Sequence, residues 1–190
     1  PKRPQDKVLL TDASSSFKKS FEEITNKKEG RPAGIKMKLN NMTSYKMVDK
    51  LYEASSAGVP VQLMIRGICC LIPGVKGMSE NIEVVGVVDR FLEHSRVYIF
   101  ENDASPLIYI SSADMMTRNI ENRVEVACPI YDSDLQEQII NAFAIGWEDN
   151  IKGRKINGSV QNQLHSNNKE PLRSQEALYQ YTQNLVSQCD

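Results

Sequence analysis

Residues 90–114 hold the side chains best able to do chemistry: Arg90, His94 and Arg96 in the run Arg90-Phe91-Leu92-Glu93-His94-Ser95-Arg96, then Ser111-Ser112-Ala113-Asp114. His94 is one of two histidines in the chain. A histidine exchanges protons near neutral pH, and arginine offers a planar fork of N–H donors matched to phosphate oxygens. Set together at the mouth of a hairpin, they point to phosphate chemistry.

The elements that must position these groups read as an α/β fold. Ile35, Met37 and Leu39 alternate with Lys36, Lys38 and Asn40, the period of a half-buried strand. Thr43 or Ser44 can cap a following helix with Met47, Val48, Leu51, Tyr52 and Ala54 on one face and Gly58 at its end. Val61, Leu63 and Ile65 form the next strand, which stops at Arg66-Gly67. Strand, helix, strand with short connections is a right-handed βαβ unit with parallel strands. Ligands in such sheets bind outside the carboxyl ends of the strands, where Asn40 and Arg66 stand, and Gly67 would let a ligand approach the backbone.

Further along, Ile82, Val84 and Val85 suggest a strand, and 86–92 a short helix with Val87, Val88, Phe91 and Leu92 apolar. His94 precedes a strand over 96–100, which a turn at 101–106 returns as a hairpin through 107–110. Residues 115–122, with Arg118, read as irregular or helical. Arg123 opens a strand through Val124, Val126 and Cys128 that Pro129 should stop. Ser133 and Gln136 suit a capping box for a helix to about residue 149, with Leu135, Ile139, Ile140, Phe143 and Trp147 as its core stripe. Residues 152–173 form a polar stretch, with His165 expected in solvent, and 174–186 a last helix. Near the start, a strand at 8–10 and a helix over 17–24, ended at Lys27 and Lys28, complete the reading.

The composition limits the partners. The chain has 190 residues, 41% hydrophobic and 25% charged, with a net charge of −1, so no global field favours nucleic acid or an anionic membrane. There is no apolar run of about 18 residues and no leader-like start, so the chain is expected to be neither anchored nor exported. The start at Pro1 suggests a piece of something longer. Cys69, Cys70, Cys128 and Cys189 show no zinc-ligand spacing and fit a reduced compartment, the first three as small buried hydrophobes.

Five motifs, in order and spacing, resemble a known family: Arg66-Gly67-Ile68-Cys69-Cys70-Leu71, Ser79-Glu80-Asn81-Ile82, Asp89-Arg90-Phe91-Leu92-Glu93-His94-Ser95-Arg96, Ser111-Ser112-Ala113-Asp114-Met115-Met116 and Arg118-Asn119. They look like the C-terminal catalytic region of bacterial polyphosphate kinase, the histidine-dependent type. The resemblance covers about residues 8–157 and, more weakly, the last helix. It implies the second of two phospholipase D-like domains, with a mixed, mostly parallel β-sheet flanked by helices. Residues 1–34 would lead in from the preceding domain, 35–150 would form this domain, and 151–190 a polar tail and terminal helix.

The resemblance further implies reversible transfer of the ATP terminal phosphate to inorganic polyphosphate through a phosphohistidine in another domain, with this fragment alone inactive. His94 would be the second, assisting catalytic histidine, acting by proton donation or phosphate contact, and Arg66, His94, Arg123 and Arg118 would contact ATP or phosphate. Mg2+ is implied as cofactor, with its ligands elsewhere. The implied partners are ATP or ADP, polyphosphate and the remaining domains, without nucleic acid, in a full-length homo-oligomer. The implied place is cytoplasmic, including a peripheral position at the inner membrane.

Two alternatives stay open. The fragment could be a non-catalytic polyphosphate-binding or assembly module, or a phospholipase D-type phosphodiesterase. Against the latter, the phospholipase D motif places lysine and aspartate where this chain has Arg96 and Glu101, and arginine does not transfer protons at neutral pH. For individual residues the plain readings are a backbone-bonding His94, an Arg96 paired with Glu93, and Arg118 and Arg123 bridging to Asp114 or Glu125.

Overall fold

The alternation at 35–39 places Ile35, Met37 and Leu39 at 2% exposure or less, while Lys36 and Lys38 emerge on the opposite face. The computed structural model describes the backbone of Val8 and Leu9, residues 34–158 and residues 162–187. The helix expected over 17–24, Lys27, Lys28 and Cys189 lie outside the described residues.

Eight strands form one sheet: β1 (Val8–Leu9), β2 (Ile35–Leu39), β3 (Val61–Ile65), β4 (Ile82–Val87), β5 (Val97–Phe100), β6 (Leu107–Ser111), β7 (Val126–Ile130) and β8 (Gly153–Lys155). Their spatial order is β1-β7-β6-β5-β2-β3-β4-β8. Helices α1 (Tyr45–Ser56), α2 (Ser133–Trp147) and α3 (Ser174–Ser187) flank it. The mixed α/β sheet with flanking helices is as expected. Its parallel part is smaller, because β2–β3 and β3–β4 are parallel and the other described pairings antiparallel.

The core has two layers. On one face Val48, Leu51 and Ala54 of α1 pack against Met37, Leu63, Ile65 and Phe100. On the other, Phe143 and Trp147 of α2, stacked at 6.2 Å, cover Met64, Val85, Ile99 and Ile108. β3 therefore needs apolar residues on both sides, which is why Leu63, Met64 and Ile65 run without interruption.

Several boundaries differ from the sequence reading. Ser44 is the N-cap of α1, but its side chain makes no cap bond; the amides of Thr43 and Ser44 instead donate to the Met115 carbonyl at 2.8 and 2.9 Å. The short helix expected at 86–92 is absent, since β4 continues to Val87 and residues 88–96 have no regular structure. Val88, Phe91 and Leu92, taken as its apolar face, are exposed. Arg123 precedes β7 rather than opening it, and Pro129 lies within that strand. Ser112 donates to the Val126 carbonyl at 3.0 Å, so by the two-residue period Cys128 and Ile130 also face β6 and the Pro129 nitrogen points away from it. The cap of α2 is Asp132, whose carboxylate accepts from Asp134 and Leu135. Cys70 and Cys128 are exposed rather than buried, and Cys69 is half-buried.

The polar stretch after α2 is built into the fold. β8 extends the sheet beside β4. His165 is 6% exposed rather than solvated, its ring edge-on to Trp147 at 5.6 Å. Burial first, then Lys155, pushes its pKa below the ordinary value, against the pull of Glu83, Glu148 and the Trp147 backbone. Its Nδ1 has no hydrogen-bond partner among the described residues. The unfolded chain therefore binds a proton on His165 more readily than the folded one. The resulting stability is complete above the ordinary histidine value, about 6.5, and is lost as pH falls through the lower folded value. Urea unfolding between pH 7.5 and 5 should show this loss, and His165→Phe should flatten that part of the profile. An equally steep profile in the variant would remove His165 as its source.

Candidate functional site

The topology gathers one set of strand ends at a single edge. β2 and β3 are parallel, so Asn40 and Arg66 follow them side by side. β5 runs against β2, with Val97 opposite Lys38, which brings the preceding residues His94 and Arg96 to the same edge. β6 returns against β5 and ends at Ser111, and β7 starts beside it, delivering Ser112 to Asp114 and Arg118 to Glu125. Every candidate residue thus belongs to one rim.

Asp114, 4% exposed, ties the centre of this rim together. Its Oδ1 accepts from the Asn40 backbone amide at 2.8 Å, the Asn40 side-chain amide at 3.1 Å and Arg96 Nε at 3.1 Å. Its Oδ2 accepts from Arg96 Nη2 at 3.4 Å. Burial raises the carboxyl, but the Asn40 amide and Arg96 outweigh it and hold the group below the ordinary carboxylate range. Asp114 is therefore an anion at neutral pH with its lone pairs committed to nitrogen donors.

Each partner passes the order on to a candidate residue. Asn40 Oδ1 accepts from Arg66 Nε at 2.7 Å, which fixes the plane of that guanidinium and leaves its two terminal nitrogens without a partner among the described residues. Gly67 is required by the close approach of the chain at Asn40 and Asn41. A Cβ there would lie 2.5 Å from Asn41 Oδ1 and 2.8 Å from the Asn40 carbonyl, so the close approach expected for a ligand is made by the chain itself. Arg96 Nη1 donates to the His94 carbonyl at 3.2 Å, and Nη2 lies 3.3 Å from His94 Nε2. Arginine has no acceptor, so in this arrangement Nε2 accepts and the ring proton sits on Nδ1.

Arg96 thus pairs with Asp114 rather than Glu93, whose carboxylate instead holds Lys38. Glu101 pairs with Lys36 at 2.9 Å, away from His94 Nε2 and its partner Arg96. Arg118 and Arg123 are exposed and form no ion pair with a described residue. Asp114 and Glu125 do not bridge to them. Glu125, 7% exposed, accepts from Ser112 Oγ and from Asn119 Nδ2 at 2.6 Å. Ser111 Oγ donates to the Val126 carbonyl at 3.0 Å and Ser112 Oγ accepts from the Val126 amide at 3.0 Å, so both serines lock β6 to β7. His94 and Arg66 are consequently joined through Arg96, Asp114 and Asn40, while Arg118 and Arg123 stand on the same rim outside that network.

A pocket beside Arg66, lined also by Lys38, Met64, Val87 and Glu93, encloses about 230 Å3 with open solvent included. Ligand clefts typically hold roughly 300–1,000 Å3. Among the described residues no group of three or more His, Cys, Asp or Glu side chains could hold a metal ion. Asp114, the acidic group at the centre, is saturated by nitrogen donors, so these residues do not fit a magnesium site. No helix of the described residues is long and apolar enough to cross a membrane.

Comparison with known proteins agrees with this geometry. Residues 12–175 match the family described as polyphosphate kinase C-terminal domain 2. The chain is 47% identical over 167 residues to the polyphosphate kinase of Vibrio parahaemolyticus, covering 87% of this chain and 24% of that protein. It therefore spans about a quarter of the length of that relative. The crystal structure of polyphosphate kinase from Porphyromonas gingivalis superposes with a TM-score of 0.91 at 36% identity, over 99% of this chain and 30% of that one. The phospholipase D family member Nuc from Salmonella typhimurium matches with a TM-score of 0.53 at 17% identity, over 74% of this chain and 90% of that one, a likeness of fold alone. With a matched region that includes the whole rim from Asn40 to Glu125, this chain belongs to the polyphosphate kinase family, as its C-terminal domain 2.

Proposed function

We propose that this domain serves reversible transfer of the ATP terminal phosphate to inorganic polyphosphate, as one half of a catalytic centre completed by the rest of a longer polypeptide. The observation that carries the reading is the chain of contacts from His94 through Arg96, Asp114 and Asn40 to Arg66, which presents a histidine and an oriented guanidinium on one open rim. Phosphoryl transfer demands positioning and stabilisation of charge more than covalent chemistry from the protein, and this arrangement supplies both. Arg66 contacts nucleotide phosphate, Arg123 and Arg118 contact the phosphate chain further along the rim, and His94 assists a phosphohistidine carried by another domain.

Mg2+, which neutralises phosphate charge, is assigned to the nucleotide phosphates and to residues outside this chain. The same reading assigns a homo-oligomer, no nucleic-acid partner and a cytoplasmic place with peripheral contact at the inner membrane. Free cysteines fit that compartment. The fragment alone is expected to bind polyphosphate without turning over ATP.

In the full-length protein, Arg66→Ala should weaken ATP by about 10–100-fold, the equivalent of one charge-assisted phosphate contact. Arg66→Lys should recover only part, because a point charge lacks the fork that Asn40 orients. Failure of the full-length protein to extend polyphosphate from ATP would overturn the reading.

A further inference from the structure

The loop that carries His94, residues 88–96, spans β4 to β5 without regular structure, and among the described residues the backbone of 89–95 makes no backbone–backbone hydrogen bond. Side chains from the start of α3 hold it instead. Arg173 donates Nε to Asp89 Oδ2 at 2.7 Å and Nη2 to Oδ1 at 2.8 Å, a bidentate pair on a carboxylate whose side chain is 3% exposed. Gln175 Oε1 accepts from the Phe91 amide at 2.9 Å, and its Nε2 donates to the Phe91 carbonyl at 2.8 Å and to Glu93 Oε1 at 2.9 Å. One amide side chain thus serves both backbone groups of Phe91 as a neighbouring strand would. Glu93 continues the contact to Lys38 on β2.

The clamp is itself anchored. Asp149, fully buried, accepts from the Ser174 amide at 2.8 Å through Oδ2, and from the amides of Ile151, Lys152 and Gly153 at 3.0, 2.6 and 3.1 Å through Oδ1. The start of α3 is therefore fixed to the end of α2, and the His94 loop to the start of α3.

We propose that residues 173–175 form a strap that positions His94, with Arg173 and Gln175 as positioning residues for the reaction assigned above. The catalytic part of this inference rests on that reading; the mechanical part does not. An orderly His94 ring needs a fixed backbone beneath it, and displacement of a reacting group by about an ångström costs up to roughly a hundredfold in rate.

The test has two arms. In the chain itself, exchange of the Phe91 amide, which Gln175 Oε1 holds, should quicken by roughly tenfold or more in Gln175→Ala and also, to a lesser extent, in Arg173→Ala, with β2 and β3 unchanged. Unchanged exchange at Phe91 in both variants would overturn the strap. In the full-length protein, Gln175→Ala should lower kcat by roughly 10–100-fold while KM for ATP holds within about twofold, and Gln175→Glu should not rescue it, since a carboxylate cannot donate to the Phe91 carbonyl. Combined with His94→Ala, the Gln175 change should add no further loss. A full additional loss in that background would overturn action through His94. If His94→Ala leaves turnover intact, the functional reading fails, and the exchange result still decides the strap.

Discussion

Asp114→Ala should destabilise the domain by about 3–5 kcal/mol, the usual cost of removing one member of a buried pair. The reason lies in what remains. Arg96, with its side chain 14% exposed, keeps its charge and loses its carboxylate, and the Asn40 amide loses its acceptor. Residual access of water to Arg96 places the effect toward the lower end. Asp114→Asn keeps an acceptor for Asn40 and the shape of the site but loses the charge, so it should cost about 1–2 kcal/mol. Urea unfolding at pH 7 distinguishes the two, and a loss under 1 kcal/mol in the alanine variant would remove Asp114 as the hub.

The same carboxylate sets an acid limit. Its folded pKa lies below the ordinary value, so its contribution is complete above about pH 4 and declines as pH falls through the folded value. The His165 contribution declines in a higher window, which keeps the two separable. Function should follow the hub too. Without Asp114, neither the Arg66 plane nor the Arg96–His94 contact is fixed, so the alanine variant should lose both phosphate affinity and turnover, whereas Arg66→Ala should act mainly on affinity.

How much of this could be read from residues alone depends on how local each cause is. β2, α1 and β3 follow from short-range periodicity and from Gly58, whose φ of +83° ends the helix in a conformation glycine adopts freely. Arg66 and His94 stand in motifs whose resemblance assigns them roles. The hub was not legible. Asp114 meets Asn40 across 74 residues, and only the return of β6 along β5 brings them together. Its residue type and its place in the Ser111–Met116 motif mark it as part of the site, but nothing local shows that it joins Asn40 to Arg96. The apolar cluster Val88, Phe91 and Leu92 suggests a helix because its spacing fits one, but its backbone is claimed by Gln175, 84 residues away. His165 sits in a polar stretch, and its burial comes from contacts made far along the fold, with the ring of Trp147 and with Gly153, whose carbonyl accepts from the His165 amide at 2.9 Å.

The largest effect on rate is expected at His94. In the full-length protein, His94→Ala should reduce turnover by about 10²–10⁴-fold, the range for loss of a positioned proton-transfer group. Stability should change little, because the side chain is exposed and its described polar contact is with Arg96 Nη2. His94→Gln separates two roles the geometry allows. A glutamine side chain can accept from Arg96 and donate to a phosphate oxygen, but it cannot release or take up a proton near neutral pH. If His94 works as a proton donor, Gln and Ala variants should be equally slow. If it works as a hydrogen-bonding contact to phosphate, Gln should recover much of the rate. Near-normal turnover in the alanine variant would remove His94 from the mechanism and leave the rim as a site that binds phosphate through Arg66 and its neighbours.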